Sequence, residues 1–184
     1  MEYCSFGSLE EMVFSIPNNE KNIWQLIKEL ANGLSYLNSK EIIHGDMKPD
    51  NVLLCKIDHR TANTKLADFG SSLHKTLTNT DKYEAKYYEG TEGYKPPEVL
   101  KNGTFDKSAD IWSFGATVAF VCNWQHLFLT NKEAITWTGN DTPINNLSRY
   151  SVDLHLLVMS MLNPEPKRRP TSETILDIAT KNLM

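Results

Sequence analysis

The sequence predicts a mainly α-helical domain with a few short strands. The chain of 184 residues is long enough to bury a core, and its composition, 40% hydrophobic and 23% charged, excludes disordered and collagen-like classes. Apolar residues recur at spacings of three and four along residues 20–39, and a second apolar segment covers residues 108–123. Such spacings place side chains on one face of a helix. The apolar runs between these two segments are short, which is typical of strands or buried loops.

The first half of the chain is predicted to hold two helices followed by short strands. A short helix is expected over residues 8–16, where apolar residues again follow a helical spacing. The long apolar stripe predicts a helix over residues 20–39 that buries one face. Short strands or buried loops are expected at residues 42–43, 52–55 and 66–67.

The second half of the chain is predicted to begin with a loop and end with helices. Residues 71–92 are rich in polar residues, Thr and Tyr and show no period, so an exposed loop is expected there. Ser108 can cap the apolar helix, whose all-round apolarity predicts burial. After a polar stretch, another helix is expected near Val152. Thr171 can cap a last helix, and its expected inner face consists of Ile175, Ile178 and Ala179.

Charge, apolar length and cysteine count limit the function classes. The net charge of −4 provides no basic field for a phosphate backbone, so a nucleic-acid partner is not expected. The longest apolar stretch, residues 114–124, is too short to span a bilayer, and no membrane partner is expected. The first residues lack a signal-peptide pattern, which predicts an intracellular protein, cytoplasmic or nuclear. Cys4, Cys55 and Cys122 are odd in number and widely separated, so reduced thiols are expected.

A dense group of chemically useful residues lies in the first half of the chain. Residues 44–51 read His-Gly-Asp-Met-Lys-Pro-Asp-Asn, and Asp-Phe-Gly follows at residues 68–70. Transfer of a phosphoryl group to a hydroxyl needs a carboxylate that accepts the proton, oxygen ligands for magnesium and a cation on the phosphate. Each residue alone has a structural interpretation. Together and in this order, the groups that this chemistry needs are supplied by Asp46, Lys48, Asn51 and Asp68.

These motifs resemble those of the eukaryotic protein kinases, and the resemblance extends over essentially the whole chain. Met-Glu-Tyr-Cys at residues 1–4 is similar to the hinge of that family. Gly-Thr-Glu-Gly-Tyr at residues 90–94 and Pro-Pro-Glu at residues 96–98 resemble the end of an activation segment. Asp-Ile-Trp-Ser-Phe-Gly at residues 110–115 resembles the central buried helix, and Arg-Pro-Thr at residues 169–171 resembles the late arginine motif.

The resemblance implies a role for each site residue. Asp46 would be the catalytic base, and Lys48 would be the cation on the transferred phosphate. Asn51 and Asp68 would hold Mg²⁺, and Thr91 would lie in the segment that faces the substrate. The implied cofactors are ATP and Mg²⁺. The residues implied to bind ATP at the hinge and beneath adenine are Glu2, Cys4, Ser8 and Leu53.

The implied fold is a kinase-like C-terminal lobe. It would consist of the hinge, a catalytic loop at residues 44–51, an activation segment at residues 68–98 and helices over residues 99–184. No glycine-rich loop or strand lysine precedes the hinge in this sequence. Residues 1–184 are therefore expected to form a partial kinase domain that lacks the β-rich N-terminal lobe.

Five further residues are implied to act through structure or regulation. His44 is expected to pack in the core, and Asp110 is expected to hold the backbone of the catalytic loop. Glu98 and Arg169 are expected to form a buried ion pair. Gly45 stands where most regulated kinases carry an arginine that binds an activation-loop phosphate, so a switch of that kind is not expected.

The implied function is that of a serine/threonine kinase acting on a protein hydroxyl. Lys48 with the proline after it, together with Thr91, resembles serine/threonine rather than tyrosine kinases. A weaker resemblance, carried by residues 1–4 and 131–139, is to the IκB-kinase-related branch. The alternative is a non-catalytic C-lobe mimic that binds and regulates another kinase. The expected partners are thus a protein substrate and either another kinase or a complementing N-terminal lobe.

Overall fold

A mostly helical lobe is observed in the computed structural model of the chain, which describes residues 4–15, 19–57, 62–74, 82–145 and 149–184. Its helices are α1 (Leu9–Met12), α2 (Glu20–Ser39), α3 (Pro97–Leu100), α4 (Ser108–Asn123), α5 (Asn131–Thr136), α6 (Val152–Met161) and α7 (Ser172–Asn182). Its strands are β1 (Ile42–Ile43), β2 (Val52–Ile57), β3 (Ala62–Leu66), β4 (Leu73–His74), β5 (Tyr83–Glu84) and β6 (Thr104–Phe105). The predicted class, mainly α with a few short strands, is confirmed. Within these described ranges, no helix has the length and apolarity needed to cross a membrane.

Helix α2 forms where the apolar stripe predicted it. The Asn19 side chain accepts a hydrogen bond from the Asn22 N–H at 3.0 Å and caps the first turn. The apolar face packs against α7 and β3. Its buried apolar residues include Ile23, Ile27, Leu30, Leu34 and Leu37. The stripe therefore forms one wall of the core.

Helix α4 is buried almost throughout. Every residue from Ala109 to Cys122 is buried, as the all-round apolarity predicted. The expectation that Ser108 caps this helix is wrong, because Ser108 is its first helical residue. The residue before it is already helical, so the cap is supplied by Asp106, whose Oδ1 accepts the Ser108 N–H at 2.9 Å.

The last helix is capped as predicted, whereas α5 was not predicted. Thr171 accepts a hydrogen bond from a first-turn N–H of α7, and Ile175 and Ala179 are buried on its inner face. Ile178 is half-buried. Helix α5 lies in a polar stretch without an apolar period, and the Thr130 hydroxyl caps it. Such a short helix depends on its cap and its neighbours rather than on a stripe of its own.

Three antiparallel two-stranded sheets lie among the described residues, pairing β1 with β4, β2 with β3 and β5 with β6. Tyr83 of β5 pairs with Phe105 of β6. The rings of Tyr83 and Tyr88 pack on the Phe105 ring at centroid separations of 5.6 and 5.0 Å. The expectation of an exposed loop over residues 71–92 is wrong here, because these buried aromatic rings attach the segment to the lobe. Residues 75–81 lie outside the described ranges.

Two cysteines form a disulfide, although reduced thiols were expected. Cys4 is bonded to Cys55. The Phe6 N–H donates to the Leu54 carbonyl at 3.2 Å, and this antiparallel contact places Cys4 beside Cys55. The wide separation of the two residues in sequence gave no sign of the pairing. Cys122 is free, and burial raises the pKa of its thiol to about 12.

A buried ion pair joins α3 to the loop before α7. Arg169 Nη1 and Nη2 donate to the two carboxylate oxygens of Glu98 at 2.7 and 2.8 Å. The guanidinium also donates to the Asn163 and Ser108 carbonyls and lies 5.2 Å from the centroid of the Trp112 ring. The buried pair expected from the sequence is therefore present, with planar bidentate geometry.

Substitution of Glu98 tests how much this ion pair stabilises the lobe. In Glu98→Gln one acceptor remains but the buried charge of Arg169 is no longer balanced, so we expect the free energy of unfolding to fall by about 3 kcal/mol. Urea unfolding followed by circular dichroism measures the change. The control is Glu84→Gln, which removes the carboxylate of the exposed pair between Glu84 and Lys86 and should change stability little. Equal effects of the two substitutions would contradict the prediction.

Candidate active site

One buried carboxylate anchors the start of the loop at residues 44–51. Asp110 lies in the first turn of α4 and is fully buried. Its Oδ2 accepts the His44 N–H at 2.7 Å, and its Oδ1 accepts the Gly45 N–H at 2.9 Å. Burial raises the pKa of the Asp110 carboxyl, while the two backbone hydrogen bonds oppose this shift by favouring the charged form. The loop thus begins at a fixed point on α4.

His44 and Asn51 join this loop to the Asp-Phe-Gly segment. The buried His44 ring has its Nε2 3.0 Å from the Ala67 carbonyl oxygen and packs against Phe69 at a centroid separation of 5.2 Å. The Asn51 carbonyl accepts the Ala67 N–H at 2.9 Å. Both backbone polar groups of Ala67, the residue before Asp68, are therefore fixed to the loop.

Four side chains meet at the centre of the site. Thr91 Oγ1 donates to Asp46 Oδ1 at 2.7 Å, and Lys48 Nζ donates to Thr91 Oγ1, also at 2.7 Å. Lys48 Nζ lies 3.4 Å from Asp46 Oδ2. The Asn51 amide donates to the Asp46 carbonyl at 2.8 Å and to Asp46 Oδ2 at 3.1 Å. The Asp46 carboxylate is therefore held by a hydroxyl, an amide and an ammonium group.

Asp68 lies beside this cluster rather than within it. Its side chain is exposed, its backbone is left-handed with φ 59°, and its Oδ1 accepts the Gly70 N–H at 3.2 Å. Since Asn51 uses its Nδ2 group toward Asp46, its amide oxygen is the atom left for a ligand. Amide and carboxylate oxygens are the ligands that Mg²⁺ prefers. The donor chemistry of Asn51 and Asp68 therefore fits a magnesium ion that takes its other ligands from phosphates and water.

Two of the residues implied to contact ATP, Ser8 and Leu53, pair with each other across an antiparallel contact. Ser8 forms an isolated bridge with Leu53, which is half-buried in β2. The Ser8 hydroxyl accepts the Glu11 N–H at 3.3 Å and caps α1, so this side chain already has a structural role. Cys4 is engaged in the disulfide. Glu2 lies outside the described residues.

The segment around Thr91 is fixed by residues that the sequence did not single out. Ser113 Oγ, within α4, donates to the Tyr94 carbonyl at 2.8 Å and lies 3.3 Å from the Tyr88 hydroxyl. Burial raises the pKa of Tyr88 above its ordinary value. Ser113 carries a hydroxyl within an apolar helix. Because a buried polar group requires a partner, this hydroxyl was the sequence signal that could have indicated a contact with another segment.

Gly45 has a conformation and an environment that favour glycine. Its φ is 81°, and a Cβ atom at this position would lie 2.6 Å from the Ser71 carbonyl oxygen. The backbone after the Asp-Phe-Gly segment therefore approaches the loop closely. Because Gly45 has no side chain, it offers a phosphate no guanidinium partner.

Comparison with known proteins agrees with this fold. A family model described as the protein kinase domain matches residues 1–179 of the chain. The chain therefore belongs to the protein kinase family.

Relatives come from several kinase branches. The chain is 33% identical over 179 residues to the membrane-associated tyrosine- and threonine-specific cdc2-inhibitory kinase of Drosophila melanogaster, covering 96% of this chain and 32% of that protein. It is 30% identical over 181 residues to the serine/threonine-protein kinase Nek3 of Mus musculus, covering 96% of this chain and 34% of that protein. It is 32% identical over 144 residues to the inhibitor of nuclear factor kappa-B kinase subunit alpha of Danio rerio, covering 76% of this chain and 18% of that protein. The chain thus spans about a third or less of the length of these relatives.

Substitution of Asp110 tests its hold on the loop. In Asp110→Asn one backbone N–H keeps an acceptor, but the other faces an NH₂ group and is left unsatisfied. We expect the free energy of unfolding to fall by about 1–3 kcal/mol. Urea unfolding measures the loss, and Asp177→Asn on the exposed face of α7 is the matched control. An Asp110→Asn protein as stable as this control would show that the carboxylate does not anchor the loop.

Proposed function

We propose that this chain is the catalytic part of a serine/threonine protein kinase that transfers the γ-phosphoryl group of ATP to a protein hydroxyl. The observation that carries the proposal is the Thr91 hydroxyl, which lies 2.7 Å from both Asp46 Oδ1 and Lys48 Nζ. A hydroxyl between a carboxylate and an ammonium group has the environment that an acceptor serine or threonine needs. A module that only binds has no chemical need for all four groups: Asp46, Lys48, Asn51 and Asp68.

In this proposal Asp46 is the general base. It orients the acceptor hydroxyl by accepting its hydrogen bond, and it takes up the proton as the hydroxyl oxygen bonds to the γ-phosphorus. The bond between the γ-phosphorus and the β,γ-bridging oxygen breaks, and ADP leaves. Asn51 keeps the carboxylate in place through its contacts at 2.8 and 3.1 Å. Lys48 is the cation that stabilises the charge on the transferred group.

The proposed cofactor contacts surround this base. Asn51 and Asp68 would hold Mg²⁺, which neutralises charge on the phosphates when it is bound. Asp68 suits this role because its carboxylate is exposed while the preceding residue, Ala67, is fixed by two backbone contacts. The proposed contacts to adenine are Leu53 and the segment that contains Glu2, Cys4 and Ser8.

A second candidate function is a non-catalytic lobe that binds and regulates another kinase. Its support comes from Phe69 and Phe6, which are 49% and 39% exposed. Aromatic surface beside the proposed nucleotide site suits contact with a partner. A complementing N-terminal lobe would cover the same side chains in an active kinase. Phosphoryl transfer by the complete natural protein separates the two functions.

Two substitutions in the complete natural protein test the proposed roles. Asp46→Asn should lower turnover by a factor of about 10²–10⁴ because the base is lost, and nucleotide affinity should change little because the base acts on the acceptor hydroxyl. Asp68→Asn should instead weaken magnesium-dependent nucleotide binding. Steady-state kinetics and nucleotide titrations with and without Mg²⁺ measure both effects.

The matched control is Asp177→Asn, which removes an exposed carboxylate of α7 and should change neither quantity. Unchanged turnover in Asp46→Asn would contradict its assignment as the base. Absence of transfer by the unsubstituted protein, together with tight binding to another kinase, would favour the second candidate.

The glycine at position 45 predicts how the complete enzyme responds to dephosphorylation. Since Gly45 supplies no guanidinium, a phosphate on the activation segment lacks that bidentate partner. We expect basal activity to remain within about twofold after phosphatase treatment, in contrast to a kinase that binds a loop phosphate through a charge-assisted pair. Activity is assayed before and after treatment, with phosphate removal checked by mass spectrometry. A large loss of activity would contradict this prediction.

A further inference from the structure

A disulfide ties the first described residue to the strand that lies beneath the proposed adenine site. Cys4 is bonded to Cys55 of β2. The two backbones also meet where the Phe6 N–H donates to the Leu54 carbonyl at 3.2 Å and the Leu54 N–H donates to the Gly7 carbonyl at 2.9 Å. The disulfide therefore extends this antiparallel contact toward the segment that resembles the hinge.

An irregularity in β2 takes Cys55 out of the strand pairing. Leu54 pairs with Thr64, and Lys56 pairs with Asn63, the residue before Thr64. In this described pairing Cys55 has no opposite residue in β3, so it is the extra residue of a β-bulge. Such bulges re-aim a side chain, often next to an active site. The side chain that leaves the strand pairing here is the one that forms the disulfide.

The disulfide adjoins the residues that are proposed to bind the nucleotide. Leu53, the proposed floor beneath adenine, precedes Cys55 by two residues and forms a bridge with Ser8. The bonded cysteines are 51 positions apart, and the loop at residues 44–51 lies between them in sequence. Cys4 itself belongs to the segment that is proposed to contact adenine. The bond therefore holds one proposed wall of the nucleotide site against another.

Among the three cysteines, this pair is the part that a thiol in solution can reach. Cys4 and Cys55 are half-buried. Cys122 is 6% exposed within α4, and burial raises the pKa of its thiol to about 12. Because the thiolate is the reactive form, Cys122 is unreactive near neutral pH. A change in redox conditions therefore acts on the disulfide and not on the core.

We propose that Cys4 and Cys55 form a reversible redox switch of the nucleotide site, which a thiol of the glutathione class opens. The inference rests on the proposed function, because that function places adenine beside Leu53. In the oxidised form the disulfide holds the hinge-like segment against β2, so the site is preorganised. In the reduced form the segment loses this covalent tie, and nucleotide binding must order it at a cost in affinity. Oxidation therefore raises nucleotide affinity.

The switch operates by balanced thiol–disulfide exchange. A glutathione thiolate attacks one sulfur of the disulfide, the S–S bond breaks, and the other cysteine leaves as a thiolate that takes up a proton. A second glutathione thiolate attacks the mixed disulfide, releases the remaining cysteine and forms oxidised glutathione. Two electrons thus pass from two glutathione thiols to the protein disulfide. Oxidised glutathione drives the same steps in reverse.

A redox titration of the complete natural protein tests the bond and its effect together. The protein is equilibrated in buffers of reduced and oxidised glutathione, free thiols are blocked with N-ethylmaleimide, and linked peptides are identified by mass spectrometry. We expect the peptide pair joined through Cys4 and Cys55 to disappear in reducing buffers. Affinity for N-methylanthraniloyl-ADP with Mg²⁺, measured by fluorescence anisotropy in the same buffers, should fall about fivefold as the bond is lost.

Single substitutions separate the switch from a general effect of the reductant. Cys55→Ser and Cys4→Ser each remove the bond, so each should show the nucleotide affinity of the reduced protein in every buffer. Two positions are used so that a folding defect at one leaves the other informative. The matched control is Cys122→Ala, which removes the free buried thiol and should retain the redox response.

The outcomes separate this inference from the proposed function. Absence of the linked peptides in every buffer, or a nucleotide affinity that does not fall as the bond is reduced, would overturn the inference. A redox response that persists in both Cys55→Ser and Cys4→Ser would overturn it as well. Phosphoryl transfer is measured in parallel. Transfer with a redox-independent nucleotide affinity would refute the inference alone, whereas a redox-dependent affinity without transfer would refute the proposed function alone.

Discussion

The site depends on the hydrogen bonds that the buried Asp110 carboxylate accepts from the loop at residues 44–51. The carboxylate receives the N–H groups of His44 and Gly45 at 2.7 and 2.9 Å, in the first turn of a helix that is enclosed on all sides. A buried carboxylate is costly without such partners, and a loop has few contacts with which to fix itself. The buried carboxylate therefore requires the loop N–H groups as donors, and the loop requires the carboxylate to hold its position. The position of the loop at residues 44–51 is consequently set by the core and not by the loop alone.

Helix α4 also holds the other half of the site. Ser113, three residues after Asp110 and so on the same face, binds the Tyr94 carbonyl at 2.8 Å. Between them, Trp112 packs beneath the guanidinium that pairs with Glu98. One helix thus fixes both the loop that carries Asp46 and the segment that carries Thr91. The contact of 2.7 Å between these two side chains depends on that shared support, since neither segment is long enough to define it.

Features that depend on neighbouring residues were predictable from local patterns, whereas contacts between distant residues were predicted only where the family resemblance implied them, as for Glu98 with Arg169. The apolar period predicted α2 and the burial of α4, and the order of the chemical groups in residues 44–51 and 68–70 led to the expectation of one site that contains Asp46, Lys48, Asn51 and Asp68. The burial of Tyr83 depends on Phe105, and the disulfide depends on an antiparallel contact that the sequence does not display. The polar composition around residue 83 predicted an exposed loop. Composition reflects the average exposure of a segment and does not indicate that one ring, such as that of Tyr83, is buried. Tertiary contacts decided these positions, as they often do where local preferences are weak.

The central cluster and the cavity of about 330 Å³ beside Thr91, whose lining includes Glu10, Asp50 and Glu92, differ in charge balance. Asp46 is matched by Lys48 at 3.4 Å, so the cluster can hold its geometry without a ligand. Group transfer needs such preorganised geometry, because misplaced reacting groups slow the step. In the cavity, Glu10 Oε1 lies 3.4 Å from His126 Nε2, and three carboxylates of the lining face this single group that can carry a positive charge. Thr91 borders both regions, because its hydroxyl lies 2.7 Å from Asp46 Oδ1 and the residue also lines the cavity.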